Sequence, residues 1–541
     1  MPDSNIYTHQ SIAKSIFDHE VETIFGLIGD ANIFLVDYYV HSCGGKFVPA
    51  AYEGGAVLMA LAHAYFSNQV GIASVTHGPA LTNCVTALIE GARGRIPMVL
   101  LAGDTPVMAS NHLQKIDQHA VTNITGAGFE QLRSPETSAA DFAHAFYRAS
   151  DERRPIVLNI PAEFMWEETK HKKVVLPTIS SQNSVLEGGQ HEAAIGMLAS
   201  ARRPLILAGR GARSAKSDII DLAKALEAPL ATTLRAKALF DSHENDIGIF
   251  GTLSTPAAYE IISKSDLIIS FGASLSQFTT DQGKLLNQKR VIQVNLDKSD
   301  ITKNYHPDAG LNADAALTAK NMLYWLREAE VKPTGFSKEI DKKAIKIHQI
   351  PKNLNISKGC IDYHYALKRF DEALPKNRIL ATDAGRFMTE VWCLISVPDS
   401  NSFFAPTNFG SIGLGLQSAI GICSSTERPV ILFTGDGGFM MGGINEFNTA
   451  VRQKQNLIVV VANDSAYGAE YIQFRDRRLD PTLSEFEWPS FADMATAMGG
   501  RGYYVSSNEE LEVALKAIES MTCPLLIELK LDPEHMPRMR T

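Results

Sequence analysis

The residues with the clearest chemical potential are Gly435-Asp436-Gly437-Gly438, at the end of the apolar run Val430 to Phe433, and Asn463-Asp464-Ser465-Ala466, just beyond a second apolar run, Leu457 to Val461. Short β-rich runs without alternation read as buried parallel strands. Ile444 to Lys454 between them reads as the crossover helix. Both acidic turns then emerge at the carboxyl edge of one sheet, where open α/β folds place ligands. Gly437 and Gly438 would let backbone N–H groups approach phosphate oxygens at a helix start. Asp436 and Asp464 would offer hard oxygen ligands to Mg2+, which shares its coordination sphere with substrate phosphates. A lone GDGG is often only a tight turn, but a second acidic turn at matched spacing points to a magnesium diphosphate site.

The elements that must hold these turns form three strand-helix alternating blocks. The first, 1–166, contains strand-like Val70 to Thr76, Met98 to Ala102 and Pro155 to Pro161. A polar linker, 167–190, leads to a second block, 191–330, with strand-like Pro204 to Gly209 and Asp266 to Gly272. A basic, proline-punctuated linker, 331–358, leads to the third block, 359–541. Repeated βα units predict an α/β protein with three doubly wound parallel-sheet domains.

Bulk properties narrow the class. At 541 residues the chain exceeds one core, and 45% hydrophobic with 21% charged residues is a globular composition. A net charge of -9 argues against a nucleic-acid partner, which favours a basic face. No apolar stretch reaches the roughly 18 residues of a membrane span, and Met1 to Asn5 lacks a basic, then apolar, leader pattern. A cytoplasmic location without membrane partners is expected. Cys43, Cys84, Cys360, Cys393, Cys423 and Cys523 are scattered without a CxxC pair, so reduced thiols are the default.

The paired acidic turns resemble the GDG…N signature of thiamine diphosphate enzymes, the superfamily of acetolactate synthase, pyruvate decarboxylase and benzoylformate decarboxylase, and the resemblance extends over nearly the whole chain. It implies pyrimidine-binding, central and diphosphate-binding domains in that order. The family usually has asparagine where this chain has Asp464; an aspartate still coordinates Mg2+. The resemblance further implies the Ala466 carbonyl as a metal ligand, with Tyr467 and Gly468 beside the cofactor. Asp383-Ala384-Gly385-Arg386-Phe387 aligns with a loop touching the diphosphate, implying contacts from Gly385 and Phe387 and a counter-charge from Arg386.

Thiamine diphosphate stabilises a carbanion, so the protein must activate the cofactor's own aminopyrimidine. By resemblance, Glu53 in Tyr52-Glu53-Gly54-Gly55 is the carboxylate for its ring nitrogen. Asn408 to Gly415 resembles the segment that bends the cofactor, making Ile412 the wedge and the Gly410 carbonyl an acceptor. On the substrate side, His77 replaces a serine of acetolactate synthases, and Gln114 keeps one position of an otherwise altered motif. Glu470 falls where pyruvate decarboxylases place a second glutamate, and Asp30 lies in a loop that faces substrate in decarboxylases. His77 and Glu470 also have plain readings, as a hydrogen-bonded structural histidine and a solvated helix residue.

The expected activity is addition to a 2-oxo acid carbonyl, loss of CO2, then protonation to an aldehyde or ligation to a second carbonyl. Cleavage of a C–C bond in a dione or 2-hydroxyacyl substrate stays open. Because Glu53 and GDGG lie in different domains and family sites form between subunits, a homodimer or homotetramer is implied. Gly209-Arg210-Gly211-Ala212 resembles part of a dinucleotide fingerprint without its third glycine, and Gly272 to Ser276 departs from the flavin-associated stretch of relatives, so FAD is not favoured. A pyruvate oxidase-like enzyme would require it. A NAD-dependent dehydrogenase would need a complete GxGxxG, and none occurs.

Overall fold

A computed structural model describes residues 5–177, 188–351 and 355–538. Parts of both expected linkers, 178–187 and 352–354, lie outside the described residues, as do the first four residues.

Three six-stranded sheets, each parallel throughout, form three α/β domains. In spatial order the first contains Lys46–Pro49, Thr23–Gly26, Gly71–Val75, Met98–Asp104, Pro155–Pro161 and Gly128–Gln131. The third contains Phe403–Phe404, Ile379–Thr382, Val430–Gly435, Leu457–Asn463, Leu525–Lys530 and Arg501–Val505. Counted within its own domain, each runs second, first, third, fourth, sixth, fifth, so the first and third domains share one topology. The middle sheet runs Asp246–Ile249, Leu230–Thr232, Pro204–Ala208, Leu267–Phe271, Arg290–Asn295 and Ala309–Asn312, the dinucleotide-fold order 3-2-1-4-5-6.

Helices cover both faces of each sheet, which is why the strands are apolar without alternation: every residue of Leu457–Val461 is fully buried. The first and third domains share a core. Helix Glu53–Ser67 packs on its topological counterpart, Gly415–Cys423, so closely that a Cβ on Gly421 would stand 2.1 Å from the Met59 carbonyl oxygen. After the middle domain, Phe336, Ile340 and Ile345 bury against its second core. The expected crossover helix Ile444 to Lys454 is observed as Ile444–Arg452, preceded by one π-turn over Phe439–Gly443.

Candidate active site

In a doubly wound sheet the ligand crevice opens at the carboxyl ends of the strands where the order reverses. For the third domain that point lies between Ile379–Thr382 and Val430–Gly435, whose following loops carry Asp383 to Phe387 and Asp436 to Gly438. The adjacent strand Leu457–Asn463 delivers Asp464 to the same edge. Asp436 is 2% exposed; its Oδ1 accepts from the Gly437 N–H at 2.8 Å and its Oδ2 from the Trp488 indole at 3.0 Å.

Burial, reinforced by the charge of Asp464, pushes the Asp436 carboxyl up to about 8. Burial pushes Asp464 up to about 6, with Arg386, 3.9 Å away, pulling it back. The Ala466 N–H lowers both. Two buried carboxyls on one edge, short of positive charge, are what a divalent cation would offset. Among the described residues no three His, Cys, Asp or Glu side chains form a metal cluster, so the two carboxylates would need backbone and phosphate oxygens to complete a Mg2+ shell.

The surrounding backbone is shaped for close approach. A Cβ on Gly437 would stand 2.5 Å from the Tyr467 ring, and one on Gly468 3.1 Å from Asp464 Oδ2. Ala466 is fixed by an antiparallel bridge to Glu485, and Phe387 is buried behind Gly435 and Gly385. Asp436, Gly437, Gly438, Asp464, Ala466, Tyr467 and Gly468 therefore lie together at this edge, and their donors and acceptors fit a magnesium diphosphate.

Arg386 does not take the expected position of a free counter-charge. Its guanidinium is buried, with Nε donating to the Pro537 carbonyl and Nη1 to Pro533 at 2.9 Å each, and Nη2 to Met536. It acts as a clamp on the chain's final described segment and as a neighbour of Asp464. Sequence spacing carried no sign of those carbonyls, which come from about 150 residues away.

Asp383, which in the sequence only opens its loop, holds that loop to its neighbours. Its Oδ1 accepts from the Ala384 N–H at 2.7 Å and its Oδ2 from the Gly413 N–H at 2.9 Å and the Thr434 hydroxyl at 3.3 Å. Burial raises its carboxyl to about 6. Through Gly413 it anchors the loop carrying Gly410 and half-buried Ile412. Gly410 has φ +81° with open space where a Cβ would lie, so backbone conformation accounts for the glycine. Trp488 is a second omission; nothing local marked it, although an acid ending a strand at the order reversal could have revealed Asp383.

The first domain has its own crevice, between Thr23–Gly26 and Gly71–Val75. Asp30 is exposed in one loop, and His77 is buried in the other. His77 Nδ1 has no hydrogen-bond partner among the described residues, and its ring meets His112 edge-on at 5.4 Å. Half-buried Gln114 follows, with its backbone oxygen 2.2 Å from where a Cβ on Gly78 would lie. Glu53 opens helix Glu53–Ser67 after the edge strand and accepts from Asn83 Nδ2 at 2.9 Å. Glu470, in the first turn of Gly468–Asp476, is exposed to solvent.

In the middle domain the order reversal lies between Pro204–Ala208 and Leu267–Phe271. The following turns close on each other: Gly211 N donates to the Gly272 oxygen at 3.2 Å, and a Cβ on Gly209 would lie 2.3 Å from that oxygen. Backbone contact explains these glycines. No helix among the described residues is long and apolar enough to cross a membrane.

Three family models match this chain in the order of its sheets: thiamine pyrophosphate enzyme, N-terminal TPP binding domain, over residues 7–121; the central domain of the same enzymes over 191–322; and the C-terminal TPP binding domain over 383–529. Among curated proteins the chain is 28% identical to a sulfoacetaldehyde acetyltransferase of Alcaligenes xylosoxydans xylosoxydans, covering 96% of this chain and 92% of the relative. It is 26% identical to a probable acetolactate synthase large subunit of Methanocaldococcus jannaschii, covering 98% and 92%. An acetolactate synthase of Mycobacterium leprae is also 26% identical, covering 93% and 83%.

Proposed function

The chain belongs to the thiamine diphosphate-dependent enzymes, of the acetolactate synthase-like kind, and from that premise we propose that it decarboxylates a 2-oxo acid with Mg2+ as second cofactor. The product carbon is then protonated to an aldehyde or joined to a second carbonyl. The observation that carries this reading is the pair of buried carboxyls, Asp436 and Asp464, at the third domain's crevice.

Asp436, Asp464 and the Ala466 carbonyl would hold the metal, while the N–H groups of Gly437 and Gly438 meet the diphosphate. Thiamine diphosphate held there would supply an acidic carbon able to stabilise the electron pair released by C–C cleavage. Glu53 Oε would hold the proton at the aminopyrimidine ring nitrogen, which sets that ring's basicity. Ile412 would pack against the cofactor's rings. His77 Nδ1, buried and unpartnered, is available to accept or donate a proton at the substrate oxygen.

The enzyme is further read as a homodimer or homotetramer with sites between subunits. Support comes from uncovered apolar side chains beside the first domain's crevice: Val107 is 63%, Met108 91% and Leu113 98% exposed. A cytoplasmic setting agrees with six cysteines that form no disulfide among the described residues.

The test is CO2 release from a panel of 2-oxo acids with added thiamine diphosphate and Mg2+, comparing the intact protein with Glu53→Gln. Release should fall by about 10²-fold or more in the variant. The similarity to sulfoacetaldehyde acetyltransferase favours one second reading, acyl transfer from a 2-substituted aldehyde in which the bond to the substituent breaks and no CO2 is lost. Cofactor binding with no release across the panel would select it.

A further inference from the structure

The shared topology of the first and third domains places two buried glutamates in equivalent positions. Each lies on the helix that leads into the fourth strand of its domain: Glu90 in Val85–Gly94 and Glu446 in Ile444–Arg452. Glu90 is 2% exposed and Glu446 is fully buried. Neither is spent within its own sheet edge; each reaches into the other domain.

Glu446 accepts from the Ala51 N–H at 3.0 and 3.1 Å on its two oxygens, interacts with the Tyr52 N–H, and is steadied by the Thr449 hydroxyl at 2.7 Å. Ala51 and Tyr52 immediately precede Glu53. Glu90 accepts from the Asn408 N–H at 3.1 Å, from Asn408 Nδ2 at 2.5 Å and from the Phe409 N–H at 2.8 Å. Asn408 and Phe409 immediately precede Gly410, and Ile412 follows two residues later. Each carboxylate thus holds the backbone of the loop that enters the counterpart helix of the other domain, and the relation is reciprocal.

The glycines confirm how closely this is built. A Cβ on Gly55 would stand 2.4 Å from Glu446 Oε1, and one on Gly94 2.7 Å from Asn408 Nδ2. Charge-assisted hydrogen bonds to backbone N–H groups fix a loop more firmly than neutral ones, and a site whose supporting shell is loose by about 1 Å loses on the order of 10²-fold in rate.

We infer that Glu446 and Glu90 are reciprocal positioning residues, setting the Glu53 carboxylate and the Ile412 wedge from across the domain boundary. The inference rests on the cofactor reading above, and it assigns roles to two acids outside both crevices. Neither glutamate touches a reacting atom. Both act only as acceptors, so glutamine, which turns an NH2 group toward one of the facing N–H donors, is the disruptive isostere.

The test uses the intact protein with thiamine diphosphate and Mg2+. It compares the wild type, Glu53→Gln, Glu446→Gln, Glu90→Gln and Gly55→Ala, the last of which displaces the Glu446 carboxylate without removing it. Three quantities are read: cofactor affinity by fluorescence titration, thermal midpoint, and the exchange rate of the bound cofactor's acidic carbon-bound proton with deuterated water. Exchange should slow about 10- to 100-fold in Glu446→Gln and Glu90→Gln at saturating cofactor. Gly55→Ala should slow in the same direction, and Glu446→Asp, which keeps the charge, should recover part of the rate and serves if Glu446→Gln fails to fold. Wild-type exchange in these variants, with only the thermal midpoint lowered, would overturn the inference. If the wild type itself does not accelerate exchange, or Glu53→Gln matches it, the cofactor reading fails first.

Discussion

Trp488 donates its indole N–H to Asp436 Oδ2 at 3.0 Å, so one oxygen of the foremost metal-ligand candidate is oriented by a residue 52 positions away. The ring is stacked on Phe486 at 4.7 Å. Trp488→Phe would keep the stack and remove the donor. Groups that orient a ligand usually contribute 10- to 100-fold to metal affinity. Mg2+ affinity, titrated in the presence of thiamine diphosphate, should weaken by about that range, with the thermal midpoint of the metal-free protein little changed.

The raised Asp436 and Asp464 carboxyls predict a pH dependence with a definite sign. Both are protonated more readily in the folded chain than in the unfolded one, so their contribution to stability is full at low pH and is lost as pH rises through about 6 and about 8. The metal-free protein should therefore lose stability from these groups between about pH 4 and pH 8. Cation binding requires the deprotonated forms, so Mg2+ should bind more tightly and raise the thermal midpoint more at pH 8 than at pH 5. Asp436→Asn should flatten both trends, measured by thermal melts across pH with and without Mg2+.

Gly421 tests the seam between the first and third domains. Its absent side chain admits the Met59 carbonyl, and a methyl group there would meet backbone, which has no flexible end to give way. Gly421→Ala should destabilise by about 1–3 kcal/mol, the usual range for overpacking. A denaturant melt measures it, and a wild-type midpoint would show that the two helices can slide.

Arg386 predicts a proteolytic phenotype. With its guanidinium committed to the carbonyls of Pro533, Met536 and Pro537, Arg386→Met leaves those groups and Asp464 without their cation. The segment from Pro533 to Arg538 should become sensitive to limited proteolysis, and the Asp464 carboxyl should rise further, weakening Mg2+ binding at neutral pH.

Much of this arrangement was legible in the chain. The GDGG turn, the second acidic turn and their strands carried local signals, because an uninterrupted apolar run followed by glycine and acid has few other uses in a parallel sheet. Strand Val430–Gly435 and helix Ile444–Arg452 lie where the pattern put them. What escaped depends on distance along the chain. Trp488 meets Asp436, Glu446 meets Ala51 across 395 positions, and Arg386 reaches the C-terminal segment, none through a motif of its own. Resemblance alone places Arg386 at the diphosphate, and in the structure backbone carbonyls take its donors. Glu470, placed by resemblance, has its side chain exposed in the first turn of its helix.

The common strand order of the outer two domains amounts to an internal structural repeat. At corresponding turns after the third strand one copy presents Asp436 and the other His77, an acid suited to a cation and an imidazole suited to a proton. On the function proposed above, a single architecture used twice would be divided into an anchoring half and a reacting half.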